Sequence, residues 1–150
     1  FPGLTVRENL QMWLPSASER NAVFERFPIL GQRQSQPAGN LSGGEQQILT
    51  LAPLLLRPPE VLVADEPSLG LAPLVIEQIL GLFTELRERG SALLLVEEKA
   101  RDVLAIADTV AFLSLGRVTW VGPRAEVDEH RVAEAYLGAS LAGSGADTEA

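Results

Sequence analysis

The sequence predicts an α/β protein in which a small α-helical subdomain precedes a core of alternating helices and strands. Before residue 40, helix-start signals occur without any strand-like run. After it, helical segments alternate with short runs that are entirely apolar. Of the 150 residues, 46% are hydrophobic, which is enough to fill the core of an ordinary domain. We therefore expect a helical subdomain at 1–40, an α/β core at 41–138 and a disordered tail at 139–150.

The helical part contains two capping-box patterns. Thr5 precedes Glu8 by three positions, and Ser16 precedes Glu19 at the same spacing. In each pair, a hydroxyl and a carboxylate can satisfy the free N–H groups of a first helical turn. Two short helices are therefore predicted to follow these residues. The polar, turn-rich stretch at 31–40 is predicted to be a loop.

The core is predicted from the alternation of segment types. Strands that are apolar on both faces are expected where helices cover both sides of a mainly parallel sheet. The predicted elements are a helix at 43–56, a strand at 61–64, a helix at 74–89, a strand at 92–96, a helix at 101–107, a hairpin at 110–115 and 118–121, and a final helix at 125–137.

Composition argues against several classes of site and partner. The formal net charge is −8 and the isoelectric point is near 4.6, so the chain would repel a phosphate backbone and no nucleic-acid partner is expected. There is no cysteine, and His130 is the only histidine, which excludes thiolate and multi-histidine metal sites. No apolar run reaches the roughly 20 residues of a membrane-spanning helix. We expect a cytosolic protein, or one peripheral to a membrane.

The pentapeptide LSGGE, which begins at Leu41, is predicted to form an anion-binding helix start. Ser42 is placed to cap the helix, Glu45 completes a capping box, and Leu41 can act as a hydrophobic staple. Gly43 and Gly44 let backbone N–H groups approach a ligand, and the helix start adds partial positive charge. The alternative interpretation is an ordinary capped helix after a glycine turn.

Two acids, Asp65 and Glu66, follow the strand predicted at 61–64. They would lie at the C-terminal edge of a parallel sheet, where α/β folds place their ligands. Asp65 suits a Mg²⁺ ion bound through water, and Glu66 suits a general base that polarises an attacking water. The alternative is a buried strand that simply reaches solvent, with acids there for solubility.

In combination, these motifs resemble those of a known family. LSGGEQQ, the helix after it and VLVADEPSLGLAP resemble, in order and spacing, the signature motif, Walker B strand and D-loop of ATP-binding cassette (ABC) ATPases. Four stretches are also similar to the ATPase subunits of branched-chain (hydrophobic) amino-acid importers, particularly the shorter of the paired subunits: FPGLTVRENL, QPAGNLSGGEQQ, DEPSLGLAP and LLLVEEKARDVLAIAD. The resemblance implies the C-terminal part of a P-loop NTPase core, a partial helical subdomain, and ATP with Mg²⁺ as ligands.

The resemblance also implies whose phosphate the signature turn contacts. In this family two ATPases pair head to tail, and each signature turn closes on the γ-phosphate held by the other subunit. The only lysine here is Lys99, and the 150 residues contain no G-x-x-x-x-G-K-[ST] motif of the Walker A type. Residues Ser42, Gly43 and Gly44 would then contact the partner's ATP, and this chain alone is expected to be inactive.

Further roles are implied position by position. Glu66 would be the catalytic carboxylate, and Asp65 would hold Mg²⁺ through water. Glu98 stands at the switch position, where many ABC ATPases carry a histidine; an ionised glutamate cannot donate a hydrogen bond there and would repel phosphate. Ala72 stands where the D-loop commonly has an aspartate. The implied D-loop consists of Ser68, Leu69, Gly70, Leu71 and Ala72.

The function implied by the resemblance is ATP hydrolysis that powers inward transport of branched-chain amino acids. The implied partners are a second ABC ATPase, transmembrane permease subunits and, indirectly, a solute-binding protein, with the ATPase peripheral to the cytoplasmic face of the inner membrane. Three alternatives remain open: a urea, amide or other importer ATPase, a non-transport ABC ATPase that acts on DNA or ribosomes, and a non-catalytic remnant that only binds partner subunits. The acidic charge and the lack of heptads weigh against the second.

Overall fold

The computed structural model describes residues 1–98 and 103–137, and the chain divides into two units at 1–98 and 99–150. The expected tail at 139–150 and the first residues of the helix predicted at 101–107 lie outside the described residues. In the first unit, the elements are α1 (Val6–Trp13), α2 (Ala17–Arg26), α3 (Pro28–Gln32), a 3₁₀ turn (Ala38–Asn40), α4 (Gly43–Leu56), β1 (Val61–Asp65), α5 (Pro73–Glu88) and β2 (Ala92–Val96). In the second, they are β3 (Thr109–Ser114), β4 (Arg117–Pro123), a 3₁₀ turn (Arg124–Glu126) and α6 (Glu129–Leu137).

Helices α1 to α4 enclose one apolar core. Helix α4 contributes side chains to the same cluster as the helices before it, so residue 40 is not the edge of this core. The position of α4 is therefore fixed by burial of its apolar face against the N-terminal helices. The buried members are Val6, Leu10, Leu14, Val23, Leu30, Ala38, Leu41, Ile48, Leu49 and Ala52.

The capping box predicted at the start of α1 is confirmed. The Glu8 backbone N–H donates to Thr5 Oγ1 at 3.2 Å, and the Thr5 N–H donates to the Glu8 carboxylate at 2.8 Å. The next free N–H groups are satisfied by the segment after α3, since Val6 donates to the Gln36 carbonyl and Arg7 to the Gln34 carbonyl, each at 3.0 Å. The loop predicted at 31–40 is therefore shorter than expected, because α3 extends to Gln32 and a 3₁₀ turn begins at Ala38, and the segment between them closes the first turn of α1.

The capping box predicted at the start of α2 is wrong. Ser16 is the N-cap residue, but its side chain makes no capping hydrogen bond, and its hydroxyl lies 2.7 Å from that of Ser18. The Glu19 carboxylate instead accepts two hydrogen bonds from the Arg57 guanidinium, at 2.9 and 3.1 Å. A charged bidentate pair is stronger than one bond from a neutral backbone N–H, so Glu19 interacts mainly with Arg57 at the end of α4 and only more weakly with the Ser16 backbone.

Strands β1 and β2 form a parallel pair with Val61 opposite Ala92 and Asp65 opposite Val96. Helix α5 lies against one face of this pair and buries Ile79, Leu82, Phe83 and Leu86. On the other face, four apolar side chains remain between 49% and 63% exposed: Val61, Val63, Leu94 and Val96. The prediction that helices cover both faces is therefore wrong for the described residues, because no described helix packs on the second face.

The second unit contains the predicted hairpin. Strands β3 and β4 pair antiparallel, and the turn residues Leu115 and Gly116 have φ values of 50° and 74°. Two consecutive left-handed residues are typical of the type I′ turn that matches strand twist. Phe112 packs on Trp120 across the pair with 5.6 Å between ring centroids.

The last helix begins later than predicted. A 3₁₀ turn occupies Arg124–Glu126, and α6 begins only at Glu129. The Asp128 side chain accepts a hydrogen bond from the Arg131 N–H at 2.8 Å, so the helix begins after the residue that can cap it. Over the described ranges, none of the helices combines the length and the apolar character that crossing a bilayer requires.

Candidate functional site: the signature turn and the acidic strand end

The start of α4 is held by the predicted capping box. The Ser42 N–H donates to the Glu45 carboxylate at 2.9 Å, and the Glu45 N–H donates to Ser42 Oγ at 3.4 Å. Leu41, just before the cap, is buried in the helical core. The turn is therefore anchored on its inner side by an apolar contact and closed by reciprocal hydrogen bonds.

An arginine that the sequence pattern did not reveal lies at the same helix start. Arg33 Nη1 donates to Glu45 Oε2 at 2.9 Å, so one carboxylate serves both the helix cap and this guanidinium. Arg33 lies in the loop before the signature turn, at no spacing that a local motif would detect. It brings a cation, neutralised by Glu45, to a turn that has no neighbouring lysine in the sequence.

The two glycines of the turn have different surroundings. A Cβ atom on Gly44 would lie 2.8 Å from Val75 Cγ1, so Gly44 is the residue on which α5 packs closely. Gly43 is exposed, and its nearest neighbour, Leu71 Cδ2, would be 3.8 Å from an added Cβ. As the first two helical residues, both lack an intrahelical acceptor for their N–H groups, and no other acceptor is found among the described residues. These donors can serve an anion.

The acidic strand end lies where β1 stops. Asp65 and Glu66 are both exposed, and Glu66 has a left-handed backbone with φ of 47°. Few non-glycine residues adopt this conformation, and it occurs most often where the surrounding structure enforces it. The Glu66 N–H donates to the Val96 carbonyl at 2.8 Å, which ties the sharp turn to the end of β2.

The predicted D-loop is a compact succession of turns. The Leu69 N–H donates to the Glu66 carbonyl at 3.1 Å, and the Leu71 N–H to the Ser68 carbonyl at 3.2 Å. Gly70 has φ of 72°, a value that glycine adopts without strain. Ala72 is the N-cap of α5 and makes no side-chain capping bond. The position at which the resemblance implies an aspartate is thus a helix N-cap where alanine provides no capping side chain.

After β2, the structure distinguishes two adjacent glutamates. Glu98, the predicted switch residue, is exposed, whereas Glu97 is half-buried and its Oε1 accepts the Ser68 N–H at 2.9 Å. The sequence analysis did not identify Glu97. No local sequence signal marks it, because the contact depends on the strand register, in which Asp65 lies opposite Val96 and the residues that follow each strand lie side by side.

The side chains at this edge fit Mg²⁺ bound together with a nucleotide. No cluster of three His, Cys, Asp or Glu ligands occurs within residues 1–98 and 103–137. Mg²⁺ in nucleotide sites keeps several waters and takes one or two carboxylates besides the phosphates. The exposed carboxylate of Asp65 suits this donor set, with the ion held through one of its waters.

Comparison with known proteins finds similarity to ATP-binding proteins of ABC transporters. A family profile described as ABC transporter matches residues 1–69, which include the signature turn, β1 and the acids after it. The chain is 40% identical over 145 residues to the high-affinity branched-chain amino acid transport ATP-binding protein BraG of Pseudomonas aeruginosa, a match that covers 92% of this chain and 62% of that protein.

Two further relatives are named for branched-chain amino acids and for phosphate, respectively. The probable branched-chain amino acid transport ATP-binding protein LivF of Archaeoglobus fulgidus is 36% identical, over 87% of this chain and 58% of its own length. The phosphate import ATP-binding protein PstB of Thermococcus kodakarensis is 35% identical, over 94% and 62%. The chain therefore spans about three fifths of the length of these relatives.

Solved structures of ABC transporter ATP-binding proteins share the fold of this chain. A structure of an ATP-binding cassette of an ABC transporter matches 90% of this chain and 63% of its own, with a TM-score of 0.71 and 25% identity. An ATP-binding subunit of an ABC transporter matches 91% and 62%, with a TM-score of 0.74 and 24% identity, a likeness of fold alone. The sequence matches and this shared architecture therefore make the chain similar to the ATP-binding proteins of ABC transporters over the part of those proteins that it spans.

Proposed function

We propose that the complete protein is the ATP-hydrolysing subunit of an ABC importer whose solutes are branched-chain amino acids. The observation that carries the proposal is the packing of the signature turn directly on the segment that follows the acidic strand end. Gly44 lies against Val75, and Gly43 lies beside Leu71. A second, nucleotide-loaded subunit would therefore meet the turn and the D-loop as one continuous surface.

In the proposed reaction each residue has a separate task. The N–H groups of Gly43 and Gly44 and the Ser42 hydroxyl would bind the γ-phosphate of ATP held by the second subunit. The Glu66 carboxylate would accept a proton from the water that attacks this subunit's own nucleotide, and Asp65 would hold Mg²⁺ through water. Mg²⁺, when bound, neutralises phosphate charge.

The proposed assembly follows the family. Its members would be a second ATPase in head-to-tail contact, permease subunits in the membrane and a solute-binding protein that delivers the solute. The ATPase would lie on the cytoplasmic face of the inner membrane. The resemblance to importer ATPases and the similarity to two branched-chain amino acid transport ATP-binding proteins support this arrangement.

Sequence identity to the relatives favours branched-chain amino acids over phosphate as the solute by a small margin. BraG is 40% identical, whereas the phosphate importer PstB, at 35%, is almost as similar as LivF, at 36%. The four stretches that resemble branched-chain subunits add support, since they extend from the first residues to the switch region. Phosphate import is the second candidate function.

Reconstitution tests the proposal. The complete protein would be placed in liposomes with the permeases and the solute-binding protein with which it assembles, and ATP hydrolysis would be measured with leucine, urea or phosphate. We expect severalfold stimulation by leucine alone. Stimulation by phosphate or urea instead would contradict the assigned solute but keep the ATPase, and absence of hydrolysis under every condition would contradict both.

A further inference from the structure

Glu97 joins the ends of the two parallel strands through its side chain. Its Oε1 accepts the backbone N–H of Ser68, 29 positions earlier in the sequence, at 2.9 Å. Ser68 is only 7% exposed, so water has little access to that N–H if the carboxylate is removed. We propose that Glu97 is a positioning residue for the loop that carries the hydrolytic carboxylate Glu66.

A second hydrogen bond holds the same loop from its other end. The Glu66 N–H donates to the Val96 carbonyl at 2.8 Å, and the Leu69 N–H closes the turn on the Glu66 carbonyl at 3.1 Å. With the bond to Glu97, the loop is fastened to the end of β2 at two points. Glu66 keeps its sparsely populated φ of 47° between these points.

The negative charge of Glu97 helps to identify its role. Asp65 and Glu66 already lie at the same edge, and a further carboxylate beside them is unfavourable because like charges repel. What a carboxylate provides is a charge-assisted hydrogen bond, roughly twice as strong as a neutral one. We assign Glu97 the role of hydrogen-bond acceptor for the D-loop rather than contact with phosphate.

Three substitutions separate the possible roles. Glu97→Gln keeps an oxygen acceptor and removes the charge, whereas Glu97→Asp keeps the charge but is one methylene too short for the same contact. Glu97→Ala removes both. The matched control is Glu60→Ala, which removes an exposed carboxylate just before the opposite end of β1.

Hydrogen exchange in the complete protein measures the loop directly. With Glu97→Ala and Glu97→Asp, we expect protection of the Ser68 amide to fall on the order of 10- to 100-fold, the range for losing a hydrogen bond to a charged group. Glu97→Gln should stay within severalfold of wild type, and Glu60→Ala should leave the peptide at 66–71 unchanged. In the Glu97 variants, the exchange rates of amides outside this loop should equal those of wild type.

Kinetics provide a second readout, which rests on the proposed function. Because Glu97 does not contact nucleotide in this assignment, Glu97→Ala should lower kcat about tenfold and leave the KM for ATP within about twofold, with recovery in Glu97→Gln. Wild-type protection and kcat in Glu97→Ala would overturn the inference, as would equal damage by Gln and Ala or increased exchange throughout the protein. If wild type hydrolyses no ATP, the proposed function fails while the exchange measurement still decides the role of Glu97.

Discussion

At the scale of single residues, neighbouring positions of the same type do different things. Gly44 is small because Val75 occupies the space that a side chain would need, whereas Gly43 is open and leaves its N–H accessible. The sequence predicted ligand approach for both glycines. The close packing of Gly44 could not be predicted, because Val75 is remote in sequence and belongs to another helix.

Substitution of Gly44 tests this difference. In Gly44→Ala, the new Cβ would lie 2.8 Å from Val75 Cγ1, and a β-branched side chain has little freedom to move away. We expect a loss of about 1–3 kcal/mol of stability, typical of overpacking, seen as a lower thermal midpoint of the complete protein. Adding Val75→Ala to Gly44→Ala should restore much of the lost stability. Gly43→Ala is the control, and its thermal midpoint should stay close to that of wild type. A normal midpoint for Gly44→Ala would show that the contact is not tight.

At the scale of elements, an ion pair between residues distant in sequence forms in place of a capping box that the local sequence predicts. The start of α2 was predicted to be a capping box, but Glu19 pairs with Arg57 at the end of α4. The hydrogen bond from Arg57 is the main cause that lowers the pKa of Glu19. A carboxyl with a lowered folded-state pKa stabilises the protein above its unfolded pKa, and the contribution is lost as the pH falls through the folded value.

This pair predicts a pH-dependent difference between variants. Glu19→Gln should lower the thermal midpoint at pH 7, and the difference from wild type should shrink as the pH falls below the unfolded value of 4.5. Because the pair is exposed to solvent, salt should also reduce the difference. Glu25→Gln, an exposed position on the same helix, is the control. A difference that grows towards acid pH would contradict the assignment.

Elements with local signals were predicted well. The bounds of α4 match those observed because Ser42 and Glu45 mark its start and an apolar run fills it, and β2 matches because its run is apolar throughout. The contacts of Arg33 and Glu97 could not be read in this way, since their partners lie 12 and 29 positions away. The roles predicted for Asp65, Glu66 and Glu98 stay predictions, because they depend on a nucleotide and a second subunit.

At the scale of the whole chain, the open face of the β1–β2 pair is the main departure from expectation. Apolar strands predict burial on both faces, but they do not reveal which part of a protein supplies the cover. Here α5 covers one face, and the side chains of Val63 and Leu94 on the other remain largely exposed. Contiguous apolar surface of this kind favours association.

The 150-residue chain, expressed by itself, should therefore self-associate. We expect light scattering after size exclusion to show oligomers or aggregate, and Val63→Thr with Leu94→Thr to shift the chain towards monomer while preserving strand propensity. The control is Leu74→Thr, an exposed position on α5 that is 74% accessible and lies outside the sheet. A wild-type chain that is monomeric and unfolds in one sharp transition would show that the open face does not drive association.

The most direct test of the account is nucleotide-dependent dimerisation of the complete protein together with its ATPase rate. Glu66→Gln removes the charge that polarises water, so hydrolysis should fall about 10²-fold or more while MgATP still binds and the closed dimer accumulates. Gly43→Trp, added to Glu66→Gln, should abolish that dimer while nucleotide still binds, because a bulky side chain at the exposed first residue of α4 blocks approach to the partner's phosphate. Normal hydrolysis by Glu66→Gln, or a closed dimer that persists with Gly43→Trp, would contradict the assignment of the signature turn and the acidic strand end.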